Sequence, residues 1–93
     1  SLDYVYIGGD HRYSSAKRDI LAWLPKIRSG GAICGHAFTG DVEMNSPQWA
    51  ELCAEPELDY YHHAGCHFGL VRAVKELLPG FRRCGQIWVK FVD

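Results

Sequence analysis

The fold is decided by the opening stretch of the chain, residues 2–10, which reads Leu2-Asp3-Tyr4-Val5-Tyr6-Ile7-Gly8-Gly9-Asp10. Aromatic and β-branched side chains dominate its first six residues, which is typical of a β-strand. Apolar residues do not alternate with polar ones, so the pattern predicts a strand buried on both faces, as in a parallel sheet. The two glycines and Asp10 then end the strand with turn residues.

An amphipathic helix follows this strand. Ser14 or Ser15 is expected to cap its first turn, because a hydroxyl can accept a hydrogen bond from the orphan backbone donors there. Pro25 removes a backbone donor, so the regular helix should end near Leu24. The apolar side chains recur at helical spacing, at Ala16, Ile20, Trp23, Leu24 and Ile27.

A second strand is predicted at Ala32-Ile33-Cys34-Gly35, after a break at Gly30-Gly31. A strand, a helix and a strand within so short a stretch predict a right-handed βαβ unit with two parallel, neighbouring strands. In such sheets, ligands bind beyond the carboxyl ends of the strands. The residues that follow the two strands are therefore the first place to look for chemistry.

The rest of the chain is less regular. Residues 37–64 are predicted to form an irregular insertion, with a short helix over Pro47–Ala54 that begins after Ser46. A longer helix is predicted from about His67 to Leu78, and a last strand over residues 86–92. The expected architecture is α/β, with a small three-stranded mixed sheet of two parallel strands and a C-terminal antiparallel strand, flanked by helices, in one domain over residues 1–93.

Composition narrows the possible functions. The chain has 93 residues, is 47% hydrophobic and carries a net charge of −1, which is typical of one small folded domain. That charge argues against nucleic-acid and polybasic membrane partners, which need a basic surface. No apolar run approaches the roughly 20 residues that span a bilayer. The four cysteines form no dense disulfide framework, so we expect reduced thiols and a cytoplasmic protein.

Polar residues follow each of the first two strands. Asp10 and His11 come after the first strand, and His36 follows the second. If the strands are neighbours, Asp10 and His36 face one crevice, where a carboxylate and an imidazole can share a proton or hold a metal ion. The alternative is structural: Asp10 and His11 begin the helix, and His36 is an ordinary loop histidine.

A third cluster lies at His62-His63-Ala64-Gly65-Cys66-His67. Zinc sites use imidazoles and thiolates, but in pairs of defined spacing that this run does not reproduce. His63 and His67 are four residues apart, yet Gly65 disfavours one helix across both. Loop and helix-start histidines are the simpler interpretation.

Several segments together resemble a known family, the class I S-adenosylmethionine-dependent methyltransferases. The segment Ile7-Gly8-Gly9-Asp10-His11 is similar to the end of the family's fourth strand, in the branch that reads Ile-Asp-Gly-Asp-His. Residues 29–36 resemble the fifth strand of that branch, residues 68–77 its next helix, and Ile87-Trp88-Val89 its last, antiparallel strand. The likeness covers most of the chain outside residues 37–64, and it implies the C-terminal half of a Rossmann-like domain.

The resemblance implies roles for particular residues. Asp10, His11 and His36 would be catalytic residues on the acceptor side, meaning the part of the site that faces the molecule receiving the methyl group. Gly8 and Gly9 would contact the cofactor, S-adenosylmethionine. The branch has a carboxylate where this chain has Gly8, and another where it has Ala37. Since Mg²⁺ needs oxygen ligands, these two departures argue against a Mg²⁺ site, although Asp10 and His36 stay as alternative metal ligands.

The resemblance leaves two functions open. The family's Gly-rich loop and ribose-binding acid lie in an N-terminal half that these residues do not include, so a methyltransferase-like chain is not expected to be active alone. We expect the strand Leu2–Ile7 to pair with that missing half or with another copy in a homo-oligomer, because an uncovered strand edge invites pairing. The alternative is a non-catalytic module that oligomerises or binds a partner or a small ligand.

Overall fold

A computed structural model describes residues 2–9, 11–40, 42–55 and 65–93 of the chain. The first half contains β1 (Leu2–Ile7), α1 (Tyr13–Trp23), a single 3₁₀ turn (Leu24–Lys26) and β2 (Ile27–Gly35). The second half contains α2 (Pro47–Cys53), α3 (Phe68–Leu77), β3 (Arg82–Cys84) and β4 (Ile87–Phe91). The predicted α/β class is confirmed.

The strands form one mixed sheet in the order β1-β2-β4-β3. The pair β1 and β2 is parallel, whereas β4 is antiparallel to both β2 and β3. The predicted βαβ unit and the antiparallel C-terminal strand are therefore confirmed. The count of three strands was wrong, because β3 has only three residues, two of them arginines, and joins β4 through a tight turn at Gly85 (φ 60°).

The prediction that the first strand is buried on both faces was wrong. Of its six residues, only Ile7 is buried, while Tyr4 and Tyr6 are exposed. Successive side chains of a strand point to opposite faces, and here Val5 and Ile7 pack into the core on one face. The core cluster joins that face to α1, α2 and α3, and no described element covers the opposite face.

Proline and serine residues end and begin helices where the sequence predicted, but two other predictions about where elements begin were wrong. Pro25 ends α1, whose last residue is Trp23, and Ser46 caps α2, where its hydroxyl accepts a hydrogen bond from the Trp49 amide at 3.2 Å. The serine cap predicted for α1 was wrong: the helix begins after Arg12 without a side-chain cap. The predicted break at Gly30-Gly31 was wrong as well, since both glycines lie inside β2.

The core lies between the covered face of the sheet and the three helices. Its largest fully buried side chains are Trp88, Phe38, Phe68, Ile20 and Ile33. Ile27, which the helical spacing assigned to the first helix, is buried in β2 instead. No helix within the described ranges is long and apolar enough to cross a membrane.

Candidate functional site

The described parts of the predicted site lie together at the carboxyl ends of the two parallel strands. Gly8 and Gly9 follow β1 directly, His11 precedes α1, and His36 follows β2. Asp10, which the resemblance gave a catalytic role and which was also an alternative metal ligand with His36, lies outside the described residues. The predicted crevice between Asp10 and His36 therefore stays a prediction: His36 lies beside His11, and no pocket is found among the described residues.

His36 is held by a tyrosine that the sequence analysis did not select. The Tyr6 hydroxyl and His36 Nδ1 lie 2.8 Å apart, within hydrogen-bond distance. The two rings are nearly parallel, with an interplanar angle of 12° and centroids 5.7 Å apart. Tyr6 is the second-last residue of β1 and pairs with Cys34 of β2, so the sheet itself places the phenol beside the imidazole.

Three imidazoles meet at this edge. The ring of His11 lies edge-on to His36, with centroids 5.6 Å apart, and packs against His67 at 4.7 Å. His67 immediately precedes α3, and its backbone amide donates to the Thr39 hydroxyl at 3.2 Å. The structure thus joins His67 of the third sequence cluster to the strand-end residues. Its neighbours His62 and His63 lie outside the described residues.

The backbone direction at His36 is fixed by tight packing around Gly35. A β-carbon on Gly35 would come within 2.6 Å of both the Ile7 carbonyl oxygen and the Trp88 ring, so only glycine fits. The Trp88 indole then donates a hydrogen bond to the His36 carbonyl at 3.2 Å. Ala37 follows with φ 68°, an uncommon conformation for a residue with a side chain. The turn after β2 is therefore closely constrained.

The position of His11 depends on a second close approach. A β-carbon on Gly69, in the first turn of α3, would lie 2.6 Å from the His11 carbonyl oxygen and 2.4 Å from the Tyr13 amide nitrogen. Glycine at this position lets α3 contact the backbone that leads into α1. The sheet ends and α3 together hold the three histidines.

A charged network flanks the site on the helix side. The Tyr13 hydroxyl donates to Glu76 Oε1 at 2.6 Å, and Arg72 donates to Glu76 Oε2 at 3.2 Å. The Arg72 guanidinium also lies 3.7 Å from the centre of the Tyr13 ring, a cation–π contact. Burial, followed by the bond to Glu76, raises the pKa of Tyr13. This network ties α1 to α3 directly behind His11.

The described donors do not form a metal centre. No group of three or more His, Cys, Asp or Glu side chains in the described ranges is arranged to hold a metal ion. The groups that do converge are imidazoles and a phenol, which suit proton transfer and do not match the carboxylate and carbonyl oxygens that Mg²⁺ prefers.

A family model described as a methyltransferase domain matches residues 1–38 of the chain. The match spans β1, α1 and β2, and it includes both strand ends with Tyr6, His11 and His36. No curated protein matches the chain, and no solved structure matches it. The part of the chain that carries the candidate site is therefore similar to a methyltransferase domain.

Proposed function

We propose that this chain forms the acceptor side of a class I S-adenosylmethionine-dependent O-methyltransferase domain, as its C-terminal half. The observation that carries the proposal is the family match over residues 1–38, which contains both strand ends and the Tyr6–His36 pair. Ligands of open α/β sheets bind at such strand ends. The proposal includes Gly8 and Gly9 as the residues whose bare backbone lets the cofactor approach.

In this proposal His36 is the general base. S-adenosylmethionine would supply the methyl group as an electrophilic sulfonium carbon. When the Nδ1 proton of His36 is donated to the Tyr6 oxygen, Nε2 has a lone pair that can accept the proton of an acceptor hydroxyl. His11 packs against the His36 ring and limits its rotation. The contacts of His36 with Tyr6 and with His11 need no reorganisation energy during the reaction, because the fold has already formed them.

The acceptor side alone does not bind the whole cofactor. The family's Gly-rich loop and ribose-binding acid are not among these 93 residues, so we propose that cofactor binding is completed by polypeptide that adds to the β1 edge. We expect no turnover by the 93-residue chain alone. All four cysteines lie within the described residues and form no disulfide, which supports our proposal of a cytoplasmic location.

Saturation-transfer NMR with S-adenosylhomocysteine, at millimolar concentration, tests the ligand's orientation. We expect saturation to reach the methylene protons beside sulfur and to leave the adenine protons largely unaffected, because only the acceptor side of the site is present. His36→Ala should weaken the effect, while Asn45→Ala, an exposed change in the turn before α2, should not. Saturation at the adenine alone, or none at any position, contradicts the proposal.

The second candidate function is a non-catalytic module that associates with itself or with a partner. It is favoured by the position of β1, which lies at one edge of the sheet with four of its six residues exposed. Light scattering tests the self-association part of this second function. A chain that stays monomeric at high concentration would exclude self-association. The same edge could admit a small ligand beside Gly8 and His36.

A further inference from the structure

One apolar face of the sheet is covered by no element of the described ranges, and we call it the open face. It comprises the outward-facing residues of three strands, namely Tyr4, Tyr6, Ala32, Cys34, Ile87, Val89 and Phe91. The pairing places them in rows: Tyr4, Ala32 and Phe91 lie side by side across the sheet, as do Tyr6, Cys34 and Val89. The row of Tyr4, Ala32 and Phe91 contains no charged side chain, whereas the other row continues past Val89 to Arg82 of β3, which places one arginine at the margin of the face.

The exposed area of this face is large for a small domain. Tyr4 is 68% exposed, Phe91 56% and Tyr6 52%. An aromatic side chain presents roughly 150–250 Å², so these three alone expose about 350 Å² of largely apolar surface. Ile87 is exposed as well and extends the patch. The total reaches the upper part of the range of roughly 300–600 Å² that monomeric proteins show, and with a polar rim it approaches the ~800 Å² that each partner of a stable dimer buries.

The shape of the open face suits a second copy of itself. The central strand β2 contributes the small side chains Ala32 and Cys34, while the aromatic rings of Tyr4 and Tyr6 stand on one side and Phe91 on the other. The face therefore has a shallow groove between an aromatic ridge on β1 and an apolar ridge on β4 that consists of Ile87, Val89 and Phe91. A two-fold axis places a ridge of each copy in the groove of the other, which is the self-complementarity that a symmetric dimer requires.

The edge of β1 is less suited to self-pairing than the face. Its register with β2 shifts between Leu2 and Tyr4, and Asp3 carries a charge at the edge, where it forms an ion pair with Arg28. Bulges and charges are devices that discourage edge-to-edge pairing. Only Tyr4–Ile7 remain as a regular edge, whereas the open face is apolar across three strands.

We propose that two copies of this chain pack through their open faces, sheet against sheet, with the helices on the outside. This inference rests on the sheet face that no described element covers, and Tyr6 is the residue that this face shares with the proposed site. Packed sheets lie about 10 Å apart with interdigitated side chains. Because the apolar area is at the lower end of what stable dimers bury, we expect a dissociation constant in the micromolar range.

Sedimentation equilibrium of the 93-residue chain, from micromolar to millimolar concentration, measures this association. Tyr4→Lys and Phe91→Lys, made separately, should each raise the dissociation constant about tenfold or more, because each introduces a charge into one of the two ridges. Both positions are largely exposed in one copy, so the fold should survive, which circular dichroism checks. Leu21→Lys is the matched control, since Leu21 is a half-exposed residue of α1, outside the open face, and its change should leave the constant unaltered.

The pattern of effects separates this proposal from its competitors. A loss of association in Tyr4→Lys without any effect of Phe91→Lys would mean edge pairing through β1 and would overturn the proposal. A chain that stays monomeric at millimolar concentration would overturn it too, and would assign the open face to polypeptide outside these residues.

Discussion

At the scale of single residues, the hydrogen bond between the Tyr6 hydroxyl and His36 Nδ1 can run in either direction, and each direction leaves a different His36 nitrogen free to act as a base. The proposed function requires the proton on Nδ1, donated to Tyr6, and a lone pair on Nε2. In Tyr6→Phe the bond is lost, so the preference for one tautomer should disappear. Long-range ¹H–¹⁵N correlation spectra of the imidazole measure this. Tyr4→Phe is the control on the same strand, and a His36 protonated at Nε2 in the unmodified chain would contradict the general-base role.

Tyr13 predicts a dependence of stability on alkaline pH. Its pKa is raised above the ordinary 10.0, first by burial and then by the hydrogen bond to Glu76. The folded state therefore favours the protonated phenol, and the contribution of Tyr13 to stability is full below the ordinary pKa and is lost as pH rises through the raised one. Urea unfolding should show a Tyr13→Phe cost of about 1 kcal/mol at neutral pH that shrinks above pH 10.

The same experiment with Glu76→Gln provides the comparison. Removal of the carboxylate charge beside the phenol should lower the pKa of Tyr13, so the alkaline loss should begin at a lower pH than in the unmodified chain. A Tyr13→Phe cost that stays constant across this pH range would contradict the raised pKa of Tyr13 in the folded state.

Sequence reasoning at this scale found residues adjacent to strand ends and missed those brought in from a distance. His11 and His36 were predicted because strand topology places them at one edge. Tyr6 was counted only as a strand residue, since its bond to His36 joins positions thirty residues apart. His67 was assigned to a separate cluster, and its contact with His11 depends on how α3 packs. The strand register could have indicated Tyr6, because its partner Cys34 is two residues before His36.

At the scale of elements, the cap of α2 is the simplest prediction to test. Ser46 accepts from the Trp49 amide, and Ser→Ala at such a position costs about 1 kcal/mol of unfolding free energy. Ser46→Ala should lose this amount in chemical denaturation, while Ser46→Asp, which keeps an acceptor oxygen, should retain most of it. Equal stability of all three proteins would mean that α2 is held by the burial of Trp49 and Leu52 alone.

For Gly69→Ala, the structure predicts a loss of stability, whereas helix propensity alone predicts a gain. Gly→Ala inside a helix usually gains up to about 1 kcal/mol. Here the new β-carbon would meet backbone atoms of His11 and Tyr13 at 2.6 and 2.4 Å, which cannot move aside as a flexible side chain can. Overpacking of this kind costs about 1–3 kcal/mol, so we expect a net loss of stability.

A second glycine variant controls for this effect. Gly9→Ala meets only Asp19, at an ordinary 3.4 Å, and should change the free energy of unfolding much less than Gly69→Ala. A Gly69→Ala protein that is more stable than the unmodified chain would show that α3 does not approach the α1 start as closely as described.

Local signals predicted most of the elements. Three of these signals depend only on neighbouring residues, so the sequence alone predicts their effect. They are the proline after α1, the Ser46-Pro47 start of α2 and the apolar stripe of α3. The failures have a different cause. β3 is too short and too charged to carry a strand pattern, and the Gly30-Gly31 pair lies inside β2 because pairing with β1 and β4 overrides its turn preference.

At the scale of the whole molecule, the α/β class and the parallel pair of strands follow from the order of elements. The open face could not be predicted in the same way. The near-continuous apolar run of β1 indicated burial on both faces, and the described helices cover only one. The prediction was wrong because hydrophobic patterning does not show what packs against a face, and the described helices all pack on one side of the sheet.

The most direct test of the proposed site is an amide chemical-shift map of the ¹⁵N-labelled chain during titration with S-adenosylhomocysteine, with adenosine as the comparison ligand. The account predicts that S-adenosylhomocysteine shifts the amides of Gly8, Gly9, His11 and His36, and that adenosine shifts them far less. Shifts confined to other parts of the sheet, or equal shifts from both ligands, would contradict a methyl-transfer site at the ends of β1 and β2.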